Sequence, residues 1–387
     1  MNESKRTFLR AAGLLISNAI LQCHLGAKGR PRNKGSNQKV VLLIFGGVRH
    51  AETFSAEGLV NIPHLSQDLL PRALFYSAVR NEGVTAHFNA TSSILTGNWQ
   101  HVDDWGKLPP ASPTLFEYFR KQLGIPQSQV WVVASNKALT QAIGASSVSG
   151  YGVRFGANVV FPKQLLISAV ENAVREGGNR NFTDRTKVQA ELEAVLEGSN
   201  YEGLGWTVFD TVATLDSQAQ PVIREAVATF VRSGAPTTGD EFTFFMTREI
   251  MRKFAPDFLV VIFSDVEVAH FGSYSLHLAG IRTGDRLVYD LWQEIESNTE
   301  YQGRTTLVIL PEFGRDPDGS STNGFFNHRA NEESTRTTWM MCLGTAVDRP
   351  QVVERPIRHI DVCPTLASVL GFQVPEARGS RLAEFRA

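Results

Sequence analysis

The chain has 387 residues, 42% of them hydrophobic and 20% charged, with a formal net charge of -1. That is the composition of a folded globular chain, and its balanced charge gives no electrostatic footprint for nucleic acid or an anionic membrane surface. The cysteines, Cys23, Cys342 and Cys363, lack the close spacing of a zinc motif or a disulfide framework.

The N-terminus is basic at Ser4–Arg10 (SKRTFLR) and then uncharged from Ala11 to Gln22. A basic region before a short apolar region predicts an export signal over residues 1–23; a plain amphipathic helix is the alternative. The stretch is too short and too polar for an integral membrane span. SKRTFLR resembles the twin-arginine export motif, with Lys5 in place of the first arginine, which implies a periplasmic location. Residues 24–38, rich in Gly, Lys, Arg, Pro and Asn, predict a linker. Residues 39–387 predict one α/β domain.

In that domain Lys39–Phe45 (KVVLLIF) predicts a central parallel strand ending at Gly46-Gly47. A helix is predicted over 61–70 and a strand over 73–79. Ala90–Leu95 predicts a helix closing at Gly97, with His87 near its start. A helix over 113–123, capped by Ser112, and a strand at Val130–Ala134 follow. Residues 162–255 carry helical, amphipathic patterns without a strong strand and predict a helical insertion. Strands then recur at 257–263, 307–310 and 338–343, separated by a long helix over 276–297. A last helix begins near Pro364 and closes at Gly371. Alternating strands and helices predict a mainly parallel central sheet flanked by helices.

In such folds ligands gather outside the carboxyl ends of the strands. Those ends carry Gly46-Gly47, Ser135-Asn136, Ser264-Asp265 and Pro311-Glu312. Asp265, Glu267, His270, Glu312 and His328 can therefore converge, and carboxylates with imidazoles suit a divalent ion. Of these, Asp265, His270, Glu312 and His328 are expected as the metal ligands. Arg49 and Arg315 either bind an anionic ester oxygen bidentately or make internal salt bridges, and His50 joins them as a candidate substrate contact. His64 and His277 read as helix-surface residues.

The C-terminal His359, Asp361, Pro364, Thr365, Leu366 and Gly371 resemble the end of alkaline phosphatase-like and sulfatase-like enzymes. Ser92–Gly97 (SSILTG) resembles the end of that superfamily's nucleophile helix. VVLLIFGG resembles its first strand, and SDVEVAHFG its central metal segment. GGVRHAETF at 46–54 and EFGRDP at 312–317, followed by His328, resemble a signal-bearing bacterial subgroup. The resemblance covers roughly 39–160 and 256–387 and implies an alkaline phosphatase-like fold. It also implies departures at the site. Gly46 or Gly47 stands where the family has a metal-binding aspartate, and His87 stands at the nucleophile position. Glu312-Phe313 replaces an Asp-His pair, while His328 matches the last metal-binding histidine.

Two functions are therefore expected. One is an exported metal-dependent hydrolase of phosphate or sulfate esters with an altered site. There His87 serves as base or nucleophile, and the cofactor is a divalent ion, Zn, Mn, Ca or Mg. The other is a non-catalytic binding protein whose cleft holds an anionic saccharide or a partner.

Overall fold

The computed structural model describes residues 38–101, 108–136, 143–163, 215–233, 238–321 and 324–386. The expected export signal and all but the last residue of the expected linker lie outside them, as does 164–214 of the expected helical insertion. Among the described residues one sheet has nine strands: β1 Lys39–Phe45, β2 Leu74–Arg80, β3 Val130–Ala134, β4 Asn158–Val160, β5 Phe258–Phe263, β6 Thr305–Pro311, β7 Thr337–Gly344, β8 Gln351–Val353 and β9 Ile357–Arg358. Their order is β4-β3-β5-β1-β6-β7-β2-β8, with β9 also beside β2. β7 runs antiparallel to β6 and β2, and the other pairings are parallel.

β1 is central and buried along its whole length, which explains its unbroken apolar run. Successive side chains of a strand point to opposite faces. Val41, Leu43 and Phe45 accordingly enter one core, and Val40, Leu42 and Ile44 the other. Each such side chain contributes roughly 1.5–3 kcal/mol when fully buried.

Three helices supply the second core: α1 His87–Thr96, α2 Leu115–Leu123 and, near the C-terminus, a helix over Val362–Leu370. The first core is covered by α3 Ala219–Ser233, α4 Gly239–Phe254 and α5 Tyr274–Ser297; the C-terminal helix is α6. Phe242, Met246 and Ile250 of α4 pack in the same cluster as β1 and β5. The described helices of the expected insertion are thus one covering layer of the sheet.

Several local expectations change. Thr114, not Ser112, caps α2, because Glu117 three residues on completes a capping box with it. The helix expected over 61–70 is instead a 3-10 turn at Gly58–Asn61 and a π turn at His64–Leu69. There the Asp285 carboxylate accepts the backbone N–H of His64 at 3.0 Å and of Leu65 at 2.7 Å. His277, expected at the surface, is fully buried, with Nδ1 2.8 Å from the Val266 carbonyl.

The sheet places β1, β5 and β6 side by side with their carboxyl ends together, so the loops after Phe45, Phe263 and Pro311 share one edge. α5 passes close to the turn after β5 because Gly280 has no side chain. A Cβ there would lie 3.1 Å from the Val266 nitrogen.

Candidate metal centre

Four ligand atoms, from His87, Glu267, His270 and His328, lie within 4.8 Å of one another. Glu267 and His270 come from a 3-10 helix, Asp265–Phe271, directly after β5. In that helix side chains three apart eclipse, which puts both on one side. His87 is the first residue of α1, and His328 lies in the loop after β6. Three of the four side chains are buried; His270 is 28% exposed and marks the open edge.

The contacts run as a chain. His87 Nε2 is 3.2 Å from Glu267 Oε2, which is 3.2 Å from His270 Nε2. His270 Nε2 is in turn 3.1 Å from His328 Nε2. Ligand atoms around a tetrahedral zinc at about 2.0–2.1 Å sit roughly 3.3 Å apart, and the three adjacent separations match that edge. The outer ring nitrogens are also held. His87 Nδ1 meets Glu312 Oε2 at 2.7 Å, and His328 Nδ1 donates to the Thr85 carbonyl at 2.6 Å. Such bonds fix ring orientation and leave the inner nitrogen as the donor to a metal. The Glu267 contact of His87 Nε2 lies off hydrogen-bonding geometry, so this buried nitrogen has no hydrogen-bond partner. Beside the Glu267 carboxylate but without an aligned hydrogen bond, it is placed as a ligand nitrogen would be. The set therefore fits a divalent ion such as zinc.

Glu267 is held from several sides. Its Oε1 accepts Gly47 N–H at 2.7 Å, and its Oε2 is 2.6 Å from Arg315 Nη2. The same carboxylate fills the space that a side chain at Gly46 would need, since a Cβ there would lie 2.2 Å from Oε1. Glu267 thus occupies the space beside the glycine that follows β1. Phe313 fills the next space: it stacks on His328 at 4.3 Å and would meet a Cβ at Gly47 at 2.8 Å.

Burial alone would lower the pKa of His87, but Glu267 and Glu312 hold it well above the ordinary histidine value. Burial would raise Glu267, yet Arg315 and His87 hold it well below the usual carboxylate range. Glu312 is raised by burial despite His87. His328 is pushed well down by burial and by the nearby His87 and Arg315 charges, so it stays neutral.

The structure brings His87, His270 and His328 of the expected residues together and adds Glu267. Glu312 stands one step back, with Oε2 on His87 and Oε1 accepting Thr91 Oγ1 at 3.0 Å. Asp265 points away. Its Oδ2 accepts Asp240 N–H at 3.0 Å, and Asp240 Oδ2 accepts Asp265 N–H at 3.0 Å, so this pair docks the start of α4 on the end of β5. Arg315 is buried and spends Nε on the Gly47 carbonyl, Nη1 on the Phe325 carbonyl and Nη2 on Glu267. Arg49 is paired with Glu52 and Asp318. His50 faces the backbones of Thr338 and Ser77, and burial lowers its pKa. Internal pairing, the second option for both arginines, is what the geometry shows.

In sequence Asp265 stands nearer the strand end than Glu267. The three-residue spacing of Glu267 and His270 is the sequence feature that marks Glu267 as the ligand.

No family model and no curated protein sequence matches the chain. Solved structures do. A protein of the alkaline phosphatase superfamily from Vibrio parahaemolyticus is 12% identical with a TM-score of 0.54, covering 98% of this chain and 78% of its own. Wild-type alkaline phosphatase PafA is 12% identical at 0.53, covering 93% and 100%. The phosphonate monoester hydrolase from Silicibacter pomeroyi is 14% identical at 0.51, covering 89% and 76%. At such identities the likeness speaks to architecture, and it agrees with the sheet order and flanking helices: the chain has the alkaline phosphatase-like fold.

Proposed function

We propose that the chain is a single-ion, metal-dependent hydrolase of phosphate or sulfate esters, with His87, Glu267, His270 and His328 as the ligands. The observation that carries this reading is the clustering of three histidine nitrogens and one carboxylate oxygen within 4.8 Å of one another, with two of the rings held from behind. Bound there, a divalent ion supplies Lewis acidity toward an ester oxygen and lowers the pKa of a coordinated water. The chain's own residues do the rest. Arg315 fixes the Glu267 carboxylate and offsets its charge. Glu312 fixes the tautomer of His87 by accepting Nδ1–H. In this reading His87 is a ligand rather than a base or nucleophile, because both ring nitrogens are engaged. The ester enters beside His270, the exposed ligand. We also take residues 1–23 as an export signal, which puts the reaction outside the cytoplasm; cleavage of that segment in exporting cells checks this.

A second reading is favoured by one observation: the cluster offers four protein donors, as many as a closed structural site uses. The chain is then a binding protein with a structural ion, holding an anionic saccharide or a partner. The two separate in an ester screen with added Zn²⁺, Mn²⁺, Ca²⁺ or Mg²⁺, using His270→Ala as control. Turnover that needs the ion and is lost in the variant supports the hydrolase. Tight ion binding without turnover of any phosphate or sulfate ester supports the binding protein.

A further inference from the structure

The segment Glu312–Asp316, directly after β6, supports the centre from several positions. Glu312 meets His87, Phe313 stacks on His328 and Arg315 meets Glu267. The segment is itself fixed to β1 and the turn beyond it. Glu312 N–H donates to the Phe45 carbonyl at 2.9 Å, and Val48 N–H donates to the Phe313 carbonyl at 3.1 Å. Asp316 takes no part in these contacts. It is nevertheless completely buried, and Arg49 Nη1 donates to its carbonyl at 3.1 Å.

The Asp316 carboxylate reaches across the loop that carries His328. Oδ1 accepts the Ala330 N–H at 2.9 Å and the Thr335 hydroxyl at 2.8 Å, and Oδ2 accepts the Arg329 N–H at 3.2 Å. Its backbone N–H donates to the Asn327 carbonyl at 2.9 Å. One residue thus grips the chain on both sides of His328. An Asp in an ordinary turn binds backbone about two residues on, whereas the bonds to Arg329 and Ala330 span 13 and 14 positions. Gly314 lets the returning chain lie against the segment. Its N–H donates to the Thr335 carbonyl at 2.9 Å, and a Cβ there would collide with the Ser334 carbonyl oxygen. Phe313 and the Thr85 carbonyl act on the His328 ring, and Asp316 acts on the backbone from which that ring projects.

From these contacts, and resting on the ion-site reading above, we infer that Asp316 is the positioning residue for His328. Its backbone N–H holds the chain before the ligand, and its two carboxylate oxygens hold the chain after it. His328 Nε2 is thereby turned toward the other donors before an ion arrives. Such preorganisation strengthens binding, because the loop is ordered in advance. An asparagine at this position keeps the shape but not the function. It has one oxygen where the carboxylate has two, and it points an amide NH₂ at a backbone donor.

The test uses the full chain with ¹⁵N-labelled histidine and the variants Asp316→Asn, Thr335→Val, His328→Ala and Asp285→Asn. Asp285 is the control, because its carboxylate also accepts two backbone N–H groups, those of His64 and Leu65, away from the ligands. In the ion-free parent the His328 Nδ1–H bonded to Thr85 gives an imidazole resonance protected from exchange, assigned by its loss in His328→Ala. Asp316→Asn is expected to lose that resonance and Asp285→Asn to keep it. In chelator competition, Zn²⁺ affinity should fall about 10–100-fold in Asp316→Asn and stay unchanged in Asp285→Asn. Adding Asp316→Asn to His328→Ala should change affinity by no more than about twofold, since a residue acting through His328 has nothing left to position. Thr335→Val removes one donor and keeps the carboxylate. It should weaken the same resonance and lower affinity about threefold, and it decides the matter if Asp316→Asn does not fold. The inference is overturned by a retained resonance, by unchanged Zn²⁺ affinity in an ion-binding parent, or by an equal affinity loss with and without His328. A parent that binds no ion removes the ion-site reading instead, and the resonance alone then decides whether Asp316 positions His328.

Discussion

His270 and His328 face each other through their Nε2 atoms at 3.1 Å. His328 donates Nδ1–H to the Thr85 carbonyl, so its Nε2 carries a lone pair directed at His270. In the ion-free protein His270 Nε2 lies between two acceptors, the His328 lone pair and the Glu267 carboxylate. An ion between the two rings also engages His87 Nε2 and Glu267, which lie at the other end of the chain of contacts.

Glu312 is expected to tune the site without being a ligand. Replacing Glu312 by Gln keeps a group near His87 Nδ1 but removes the charge. Affinity for Zn²⁺, measured by competition with a chelator, should fall about 10–100-fold. A loss as complete as that of His270→Ala would place Glu312 among the ligands instead.

Gly46 is expected to be intolerant because its missing side chain is where Glu267 sits. Gly46→Ala should push the carboxylate off Gly47 N–H and cost roughly 1–3 kcal/mol of stability, together with Zn²⁺ affinity. Urea unfolding and the same chelator competition measure both. Unchanged values in both would show that Glu267 has room elsewhere.

Arg315 neutralises a carboxylate that has no access to water. Arg315→Met should destabilise the ion-free protein by about 3–5 kcal/mol, the range for breaking one partner of a buried pair. A bound divalent ion offsets the same charge, so Zn²⁺ should raise the melting temperature of the variant more than that of the parent. Equal increments would mean that the ion does not contact Glu267.

His359 gives a pH signature apart from the ligands. It is fully buried, lies 3.3 Å through Nε2 from the Pro311 carbonyl, and burial pushes its pKa down to about 4. In the unfolded chain the value is about 6.5. Between these values the unfolded chain binds a proton that the folded chain refuses. The contribution is therefore complete above about pH 6.5 and lost as pH falls through about 4, for a total of about 3 kcal/mol. Urea midpoints of the parent should fall more between about pH 7 and pH 4.5 than those of His359→Gln, which has no such proton to take up. Parallel declines would show that His359 is solvated.

The strands were legible because β1, β5 and β6 are buried on both faces and so read as unbroken apolar runs. The antiparallel sense of β7 was not, since direction depends on pairing with β6 and β2 rather than on its own residues. His270 and His328 stood out in loops at strand ends. The setting of His87 was hidden because it depends on Glu312, 225 positions away, and on Glu267. Asp265 looked equivalent to Glu267 in sequence, and only the docking of α4 through Asp240 turns it away. Arg315 reads as either a substrate contact or an internal partner until its burial is known.

The most direct test is a Co²⁺ titration of the purified full chain, followed by visible absorption and checked by elemental analysis after Zn²⁺ loading. One equivalent should bind and give the spectrum of a low-symmetry, four- or five-coordinate site with nitrogen and oxygen ligands. His270→Ala and Glu267→Ala should each weaken binding severely, while Asp265→Asn should still take up one equivalent. Absence of stoichiometric binding in the parent, or uptake that survives loss of His270 and Glu267 but fails without Asp265, would contradict the assignment of the centre.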